Sequence, residues 1–368
     1  MTDDRVFGMG SDPLVAPDWP PLTSLEVAAV LSPDIDLAPG AALEWHSPRP
    51  LSATARVRTA DGRPLIVKRL PRALRDATAL AEEHGFMNHL RARGIPVPRI
   101  ALTREHGEFT YEVQELGAGA DLYCGTFSWT PYLSLEQATA AGRALAELHL
   151  AARGYDAPAR PPRPLLASFT IFSAADPMTA MERYAADHPA LADFLAARDW
   201  RADVERLHLP FHHRLRTVLE HLSPLWTHND WHGTNLLWEH EKPSTVLDFG
   251  LCDRTTAVHD LAVAIERCAV DWISLRTGGP ARPRPDQVRA LLDGYTSVRT
   301  LTGYEMYALR DLVPLVHAEY ELSEIDYFLG VVPGGNPENA EIAYTHYFLG
   351  HTAWWSGDEG RTLLHHLP

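Results

Sequence analysis

Apolar and polar positions first alternate in a strand-like way between residues 41 and 70, where ALEWH, ATARVRT and PLIVKRL follow one another. Residues 60–63, Ala-Asp-Gly-Arg, form the turn between the last two runs. Ahead of them, the Pro- and Asp-rich stretch to about residue 40 holds LTSLEVAAVL, where Ser24 caps a short helix with Val27, Ala28 and Leu31 facing inward. Over 71–93 the period becomes helical, with Leu74, Ala77, Ala81, Met87 and Leu90 on one face and Gly94 where a left-handed C-cap belongs. Two further strand runs, RIALTREHG and EFTYEVQEL, end at GAGAD.

The chain then turns mainly helical, beginning with LSLEQATAAGRALAELHLAA. There Ser134 and Gln137 have capping-box spacing, and Ala138, Ala141, Leu145 and Leu148 share a face. Proline density makes 157–164 and 280–285 surface loops. The predicted fold class is α+β with two lobes: a docking segment over 1–40, a small antiparallel-sheet lobe over 41–116, and a helical lobe over 117–368.

Bulk properties narrow the partners. A length of 368 residues with 45% hydrophobic content supports a sizeable core. A net charge of −15 gives no basis for gripping a phosphate backbone and repels an anionic bilayer, so neither nucleic acid nor membrane is expected. Ordinary solubility explains the same charge equally well. Cys124, Cys252 and Cys268 are odd in number and lack paired spacing, which excludes a disulfide framework and points to a reducing compartment. MTDDRVFGMGSDP has no targeting pattern and no run approaches a membrane span, so the cytoplasm is the expected location. A monomer and a homodimer are both compatible with these properties.

Chemistry concentrates in LWTHNDWHGTNLLWEHEKPSTVLDFGLCD. His228, Asp230 and Asn235 have the H-x-D-x-x-x-x-N spacing of a kinase catalytic loop, and Asp248-Phe249-Gly250 follows on a predicted hairpin whose polar turn spans 241–244. Phosphoryl transfer to an alcohol needs a carboxylate to accept the hydroxyl proton and oxygen ligands to hold Mg²⁺ against nucleotide phosphates. Asp230 suits the first task, and Asn235 with Asp248 the second. A lone Asp-Phe-Gly is an ordinary turn after a strand; the upstream loop changes that reading. His228 and His232 have zinc-helix spacing but sit in a glycine-containing loop, so His228 is read as a brace and His232 as facing substrate or solvent. His212, His213, His365 and His366 are read as surface histidines.

Lys68 lies within PLIVKRL, and an ammonium on a buried strand needs a partner; Glu82 and Glu83 fall on the helix that follows, and Glu83 is the choice. The alternative is a lysine snorkelling from an edge strand.

In their order along the chain, LIVKRL, EEHGFMNHLRARGIPVPRI, VQELGAG, LAELHLAARGY, THNDWHGTNLLW and VLDFGLCDRTTAVHDLAVAIER resemble the aminoglycoside phosphotransferase family of protein-kinase-like small-molecule kinases. That resemblance implies a bilobal kinase-like fold, with ATP or GTP and Mg²⁺ as cofactors. It implies Asp230 as base, Asn235 and Asp248 as metal ligands, and Lys68 on the α/β-phosphates oriented by Glu83. It further implies that Gln114, Glu115 and Leu116 hold adenine through backbone groups and that Asp260 fastens the catalytic loop. An ordinary carboxylate favoured by a helix dipole is the other account of Asp260. The sequence departs from the kinase pattern in SPRPLSATARV, which has no glycine where a phosphate-covering loop belongs, so backbone amides or Ser52 take that role. No A-P-E segment follows Asp248, which argues against a protein substrate.

The acceptor is expected in the helical lobe, between 155–222 and the carboxy-terminal helices. In HAEYELSEIDYF, Glu319 and Glu324 are candidates for lining a pocket for a hydroxylated or cationic compound, against a plainer reading as a solvent face. Trp231 is a candidate for stacking on the acceptor, against a place in the core. The leading expectation is a hydroxylated antibiotic acceptor; a primary-metabolite kinase of choline, homoserine or sugar type is the alternative. A non-catalytic nucleotide-binding protein of this fold would be expected to lose Lys68, Asp230 or Asp248, and all three are present.

Overall fold

A computed structural model describes residues 5–9, 14–39, 43–166, 169–276 and 279–368; the expected boundary at 40/41 lies outside the described residues. Two short paired strands, β1 (Val6–Phe7) and β2 (Leu14–Val15), precede helix α1 (Ser24–Leu31). Thr23 rather than Ser24 caps α1. Its hydroxyl accepts the Glu26 N–H at 3.2 Å while Glu26 accepts the Thr23 N–H at 3.4 Å, a reciprocal box that Glu26 completes only with Thr23.

Five strands, β3 (Trp45–His46), β4 (Ala53–Arg58), β5 (Pro64–Pro71), β6 (Ile100–His106) and β7 (Phe109–Glu115), form one antiparallel sheet in the order β3-β4-β5-β7-β6. Side chains alternate across a strand, so Leu65 and Val67 face one side with Ala55, Val57, Tyr111 and Val113, where Val27, Val30 and Leu31 of α1 cover them. Lys68 therefore stands on the opposite face, directly across from Glu112. Helix α2 (Ala77–Ala92) starts later than the sequence pattern suggests, because β5 runs to Pro71 and Asp76 supplies the cap through the Ala79 N–H at 2.7 Å. Its buried face is Ala79, Leu80, Glu83, Phe86, Met87 and Leu90, while the expected Ala81 is exposed. Gly94 has φ +86°, the left-handed stop that its position predicts.

After β7 the chain passes through 116–118 into the helical lobe. Helix α3 (Leu135–Ala152) is capped by Ser134, whose hydroxyl accepts the Gln137 N–H at 3.1 Å. Four short helices follow: α4 (Pro177–Asp187), α5 (Pro189–Ala196), α6 (Trp200–Leu207) and α7 (Leu209–Leu215). His212, read from sequence as a surface residue, is buried on α7 with its ring 3.0 Å from the Phe172 carbonyl, whereas His213 is exposed. Strand β8 (Pro224–Thr227) pairs with β11 (Asp253–Thr256), and β9 (Leu236–Glu239) forms a hairpin with β10 (Lys242–Val246). That hairpin turns at 240–241, earlier than expected, with His240 in the left-handed region at φ +56°.

Helix α8 (Ala257–Ala269) is buried along its whole length. The remaining α-helices are α9 (Trp272–Arg276), α10 (Pro285–Thr296), α11 (Gly303–Leu312), α12 (Ala318–Asp326), α13 (Pro337–Ile342), α14 (Gly350–Ser356) and α15 (Asp358–His365), with π-helical segments Tyr327–Val331 and Ala343–Leu349 between them. Helices α3 and α10 pack backbone to backbone. A Cβ at Gly142 would stand 2.0 Å from the Leu291 carbonyl oxygen, and one at Gly294 1.9 Å from that of Thr139, so only glycine fits at either place. No helix among the described residues is long and apolar enough to cross a membrane.

Candidate active site between the lobes

The loop 228–235 joins β8 to β9 and is held from beneath by Asp260 in the first turn of α8. Asp260 accepts the N–H of His228 at 2.9 Å, the N–H of Asn229 at 2.8 Å and the His149 Nε2–H at 3.0 Å. Burial pushes this carboxyl up, but His149 and His228 outweigh burial and keep it below the ordinary aspartate value. Asn229 sits at φ +62°, a conformation asparagine tolerates, and its amide donates to the Leu251 carbonyl at 3.1 Å. His228 braces the loop from the other side: Nε2 lies 2.8 Å from the Leu247 carbonyl and Nδ1 accepts the Asp230 N–H at 3.2 Å.

These contacts leave the Asp230 carboxylate at the cleft. Oδ1 faces Arg267 Nη2 at 2.6 Å and His232 Nε2 at 3.2 Å; Oδ2 accepts from Asn235 Nδ2 at 2.8 Å. Burial raises the Asp230 carboxyl, yet His232 and Arg267 hold it far below the usual carboxylate range. Burial lowers the His232 imidazole below its ordinary value against the opposing pull of Asp230, and its Nδ1 lies 2.7 Å from the Thr234 hydroxyl. It faces the base, not solvent.

Asp248 lies two residues past β10 at φ +55°, with half of its side chain exposed (50%). Lys68 Nζ stands 3.4 Å from its Oδ1, and that ammonium is the main reason the Asp248 carboxyl titrates below its ordinary value. Burial lowers the Lys68 ammonium, but Asp248, then Glu112 and Glu83, raise it beyond the ordinary lysine value. Two adjoining hollows flank these groups and share Asp230 and Asp248 in their walls. One of about 190 Å³ is lined by Met9, Arg49, Trp129, Asp230, Asn235 and Glu321; another of about 130 Å³ reaches Lys68, Glu83, Glu112 and Asp248.

Other sequence-derived candidates fall differently. Glu83 does not hydrogen-bond Lys68; its Oε1 takes Arg75 Nε at 3.0 Å and Arg160 Nη2 at 2.6 Å, because two buried guanidiniums are nearer. Ser52 lines both hollows but its hydroxyl is engaged with Thr54 at 3.1 Å. Gln114 is buried and bonds Glu112, the Glu115 N–H is taken by the Arg99 carbonyl at 2.9 Å, and Leu116 is exposed. Trp231 is 0% exposed and packs edge-on against His228, so it belongs to the core and presents no face to an acceptor.

Helix α12 is not a solvent face: Glu319, Glu321, Glu324 and Asp326 are all buried. Glu319 accepts the N–H groups of Thr170, Ile171 and Phe172 at 2.7–2.9 Å, so it closes a loop and does not line the pocket. Glu324 does line the larger hollow, 3.3 Å from the Tyr320 hydroxyl. Arg267 is absent from the sequence-derived set; its guanidinium bridges the base and the Trp129 ring 3.8 Å away. Its only sequence signal is an arginine on the apolar α8 pattern.

A family model described as "Phosphotransferase enzyme family" (APH) matches residues 50–301. A homoserine kinase of Azorhizobium caulinodans is 27% identical over 255 residues, 68% of this chain and 70% of that protein. Among solved structures, amicoumacin kinase hAmiN in complex with AMP-PNP, Ca²⁺ and Ami has a TM-score of 0.57 at 15% identity, covering 89% of this chain and 91% of that one. Macrolide 2'-phosphotransferase MphH from Brachybacterium faecium has a TM-score of 0.46 at 16% identity, covering 87% and 96%. The fold is thus the bilobal, protein-kinase-like one, and since the family match spans well over half of its length, the chain belongs to the APH phosphotransferase enzyme family, whose members phosphorylate hydroxyl groups of small molecules.

Proposed function

We propose that this cleft moves the γ-phosphoryl group of ATP or GTP onto a hydroxyl of a small acceptor bound beside Asp230. The observation that carries the reading is the convergence of Asp230, Asn235, Asp248 and Lys68 on one pair of adjoining hollows. Asp230 stays ionised and accepts a hydrogen bond from the acceptor hydroxyl, orienting its oxygen toward phosphorus. As the new O–P bond forms and the bond to the β-phosphate oxygen breaks, the hydroxyl proton goes to Asp230 and the diphosphate leaves. Lys68, freed from Asp248 by the incoming phosphates, neutralises their charge.

Asn235 and Asp248 offer an amide and a carboxylate oxygen beside the Asp230 carboxylate, hard donors that suit Mg²⁺ or Ca²⁺. Asn235 and Asp248 would hold the ion, which when bound neutralises charge on the phosphate oxygens.

For the acceptor, a hydroxylated antibiotic follows from the family resemblance. A compact amino-alcohol metabolite is a second reading. It is favoured by the hollow of about 190 Å³, small against the ~300–1,000 Å³ of drug-sized sites, and by the homoserine kinase relative. Transfer from γ-labelled ATP and GTP with Mg²⁺ to panels of both classes tests the reading. Asp230→Asn is expected to cut turnover by about 10²–10⁴-fold while nucleotide binding persists. Unchanged turnover in that variant removes the assignment of the base.

A further inference from the structure

Glu83 is expected from its position to serve Lys68, and the structure engages it elsewhere. Its Oε1 is shared by two guanidiniums: Arg75, from the turn after β5, and Arg160, from the proline-rich segment of the helical lobe. Both arginine side chains are almost fully buried, at 5% and 0% exposure. Two buried cations this close need a shared anion, and Glu83 supplies it.

What the arginines do with their remaining donors is the informative part. Arg75 Nη2 and Arg160 Nη1 both donate to the Gly250 carbonyl, at 3.1 and 3.0 Å, and Arg160 Nη1 also reaches the Cys252 carbonyl at 2.9 Å. The Arg160 backbone N–H is held by Asp253 Oδ1 at 2.7 Å, and Arg75 also donates to the carbonyls of Leu74, Pro164 and Leu165. Gly250 in turn directs its own N–H toward Asp248 Oδ1, at 3.4 Å. The residue that steadies the Asp248 carboxylate is therefore itself gripped at once from the turn after β5 in the sheet lobe and from the helical lobe. Neither lobe fixes that loop alone.

We propose that Arg75, Arg160 and Glu83 form a clamp of positioning residues that sets the Asp248 carboxylate for a divalent cation by gripping the Gly250 carbonyl from both lobes. The clamp acts through the loop, and Arg160, unlike Arg75 and Glu83, lines neither hollow. Losing a partner of this kind lowers metal affinity more than it lowers nucleotide or acceptor affinity, since only the orientation of the metal-side ligand changes.

The inference rests on reading Asp248 as a metal ligand, and the experiment separates the two claims. Mn²⁺ binding to the full chain with a non-hydrolysable nucleotide is titrated by electron paramagnetic resonance, alongside the Mg²⁺ concentration that gives half-maximal transfer. Arg160→Gln is expected to weaken Mn²⁺ binding and raise the Mg²⁺ requirement by about 10–100-fold, with the nucleotide KM at saturating Mg²⁺ little changed. Arg160→Lys keeps a positive charge for Glu83 but loses the planar fork that bonds Glu83 through Nη2 and the Gly250 and Cys252 carbonyls through Nη1, so it preserves the fold, checked by near-ultraviolet circular dichroism, and still loses metal affinity. Wild-type Mn²⁺ affinity in folded Arg160→Lys overturns the clamp as a positioning device. Wild-type Mn²⁺ affinity in Asp248→Asn overturns instead the reading of Asp248 on which it rests.

Discussion

Replacing Asp260 by alanine gives the sharpest test of how the catalytic loop is held. The carboxylate satisfies three buried donors, the N–H groups of His228 and Asn229 and Nε2–H of His149. Alanine orphans all three. Each unsatisfied buried donor costs about 1–3 kcal/mol, and water entering the vacated space recovers part of that. A loss of about 4 kcal/mol is therefore expected, a large share of the about 5–15 kcal/mol that holds a typical folded protein together. Because Asp230 directly follows Asn229, the same change misplaces the base, and a shift of about 1 Å costs about 10²-fold in rate. The folded-state carboxyl titrates below its ordinary value, so its contribution is present above the unfolded aspartate pKa and lost as pH falls through the folded one. Urea unfolding followed by two probes, with kcat measured on the folded fraction, gives both numbers. A loss under about 1 kcal/mol with normal kcat would show that Asp260 is only a carboxylate favoured by the helix dipole.

Lys68→Ala removes the ammonium 3.4 Å from Asp248 and the charge expected on the nucleotide phosphates. Steady-state kinetics should show the nucleotide KM rising by about 10–100-fold, equivalent to a charged hydrogen bond of about 1.5–3 kcal/mol, and a normal KM with normal rate contradicts that role. Burial raises the Glu319 carboxyl to about 7 despite its three backbone donors. Its folded value exceeds the ordinary one, so its contribution is full below about 4.5 and is lost as pH rises through about 7. Glu319→Gln should flatten the stability profile over that window in urea titrations, and an unaltered slope assigns the dependence to other groups.

What the sequence made legible was what depends on near neighbours. The sheet lobe, the left-handed Gly94, the Ser134 cap and the approach of Asn235 to Asp230 all follow from residues within a few positions of one another. The clamp and the base's cation are long-range. Arg267 meets Asp230 across 37 residues, Arg160 meets Glu83 across 77, and Arg75 meets Gly250 across 175. Periodicity carries no trace of such pairings, and prolines made the segment bearing Arg160 look like simple surface. Helix α12 misleads for a related reason. Glu319 answers to amides 147–149 residues away, so a carboxylate that composition places in water lies in the interior.

The amino-terminal segment bears on how ligands reach this cleft. Helix α1 is bound to the sheet lobe, yet the residues before it fasten to the opposite lobe: Trp19 donates to the Tyr327 hydroxyl at 2.9 Å, Asp18 accepts from Asn336 at 2.9 Å, and the Met9 carbonyl accepts from Tyr347 at 3.3 Å. Phe7 and Met9 then roof the larger hollow. Among the described residues the lobes are thus linked through 116–118 and through the hydrogen bonds of this strap. Moving the lobes apart would therefore break these three hydrogen bonds in addition to bending 116–118.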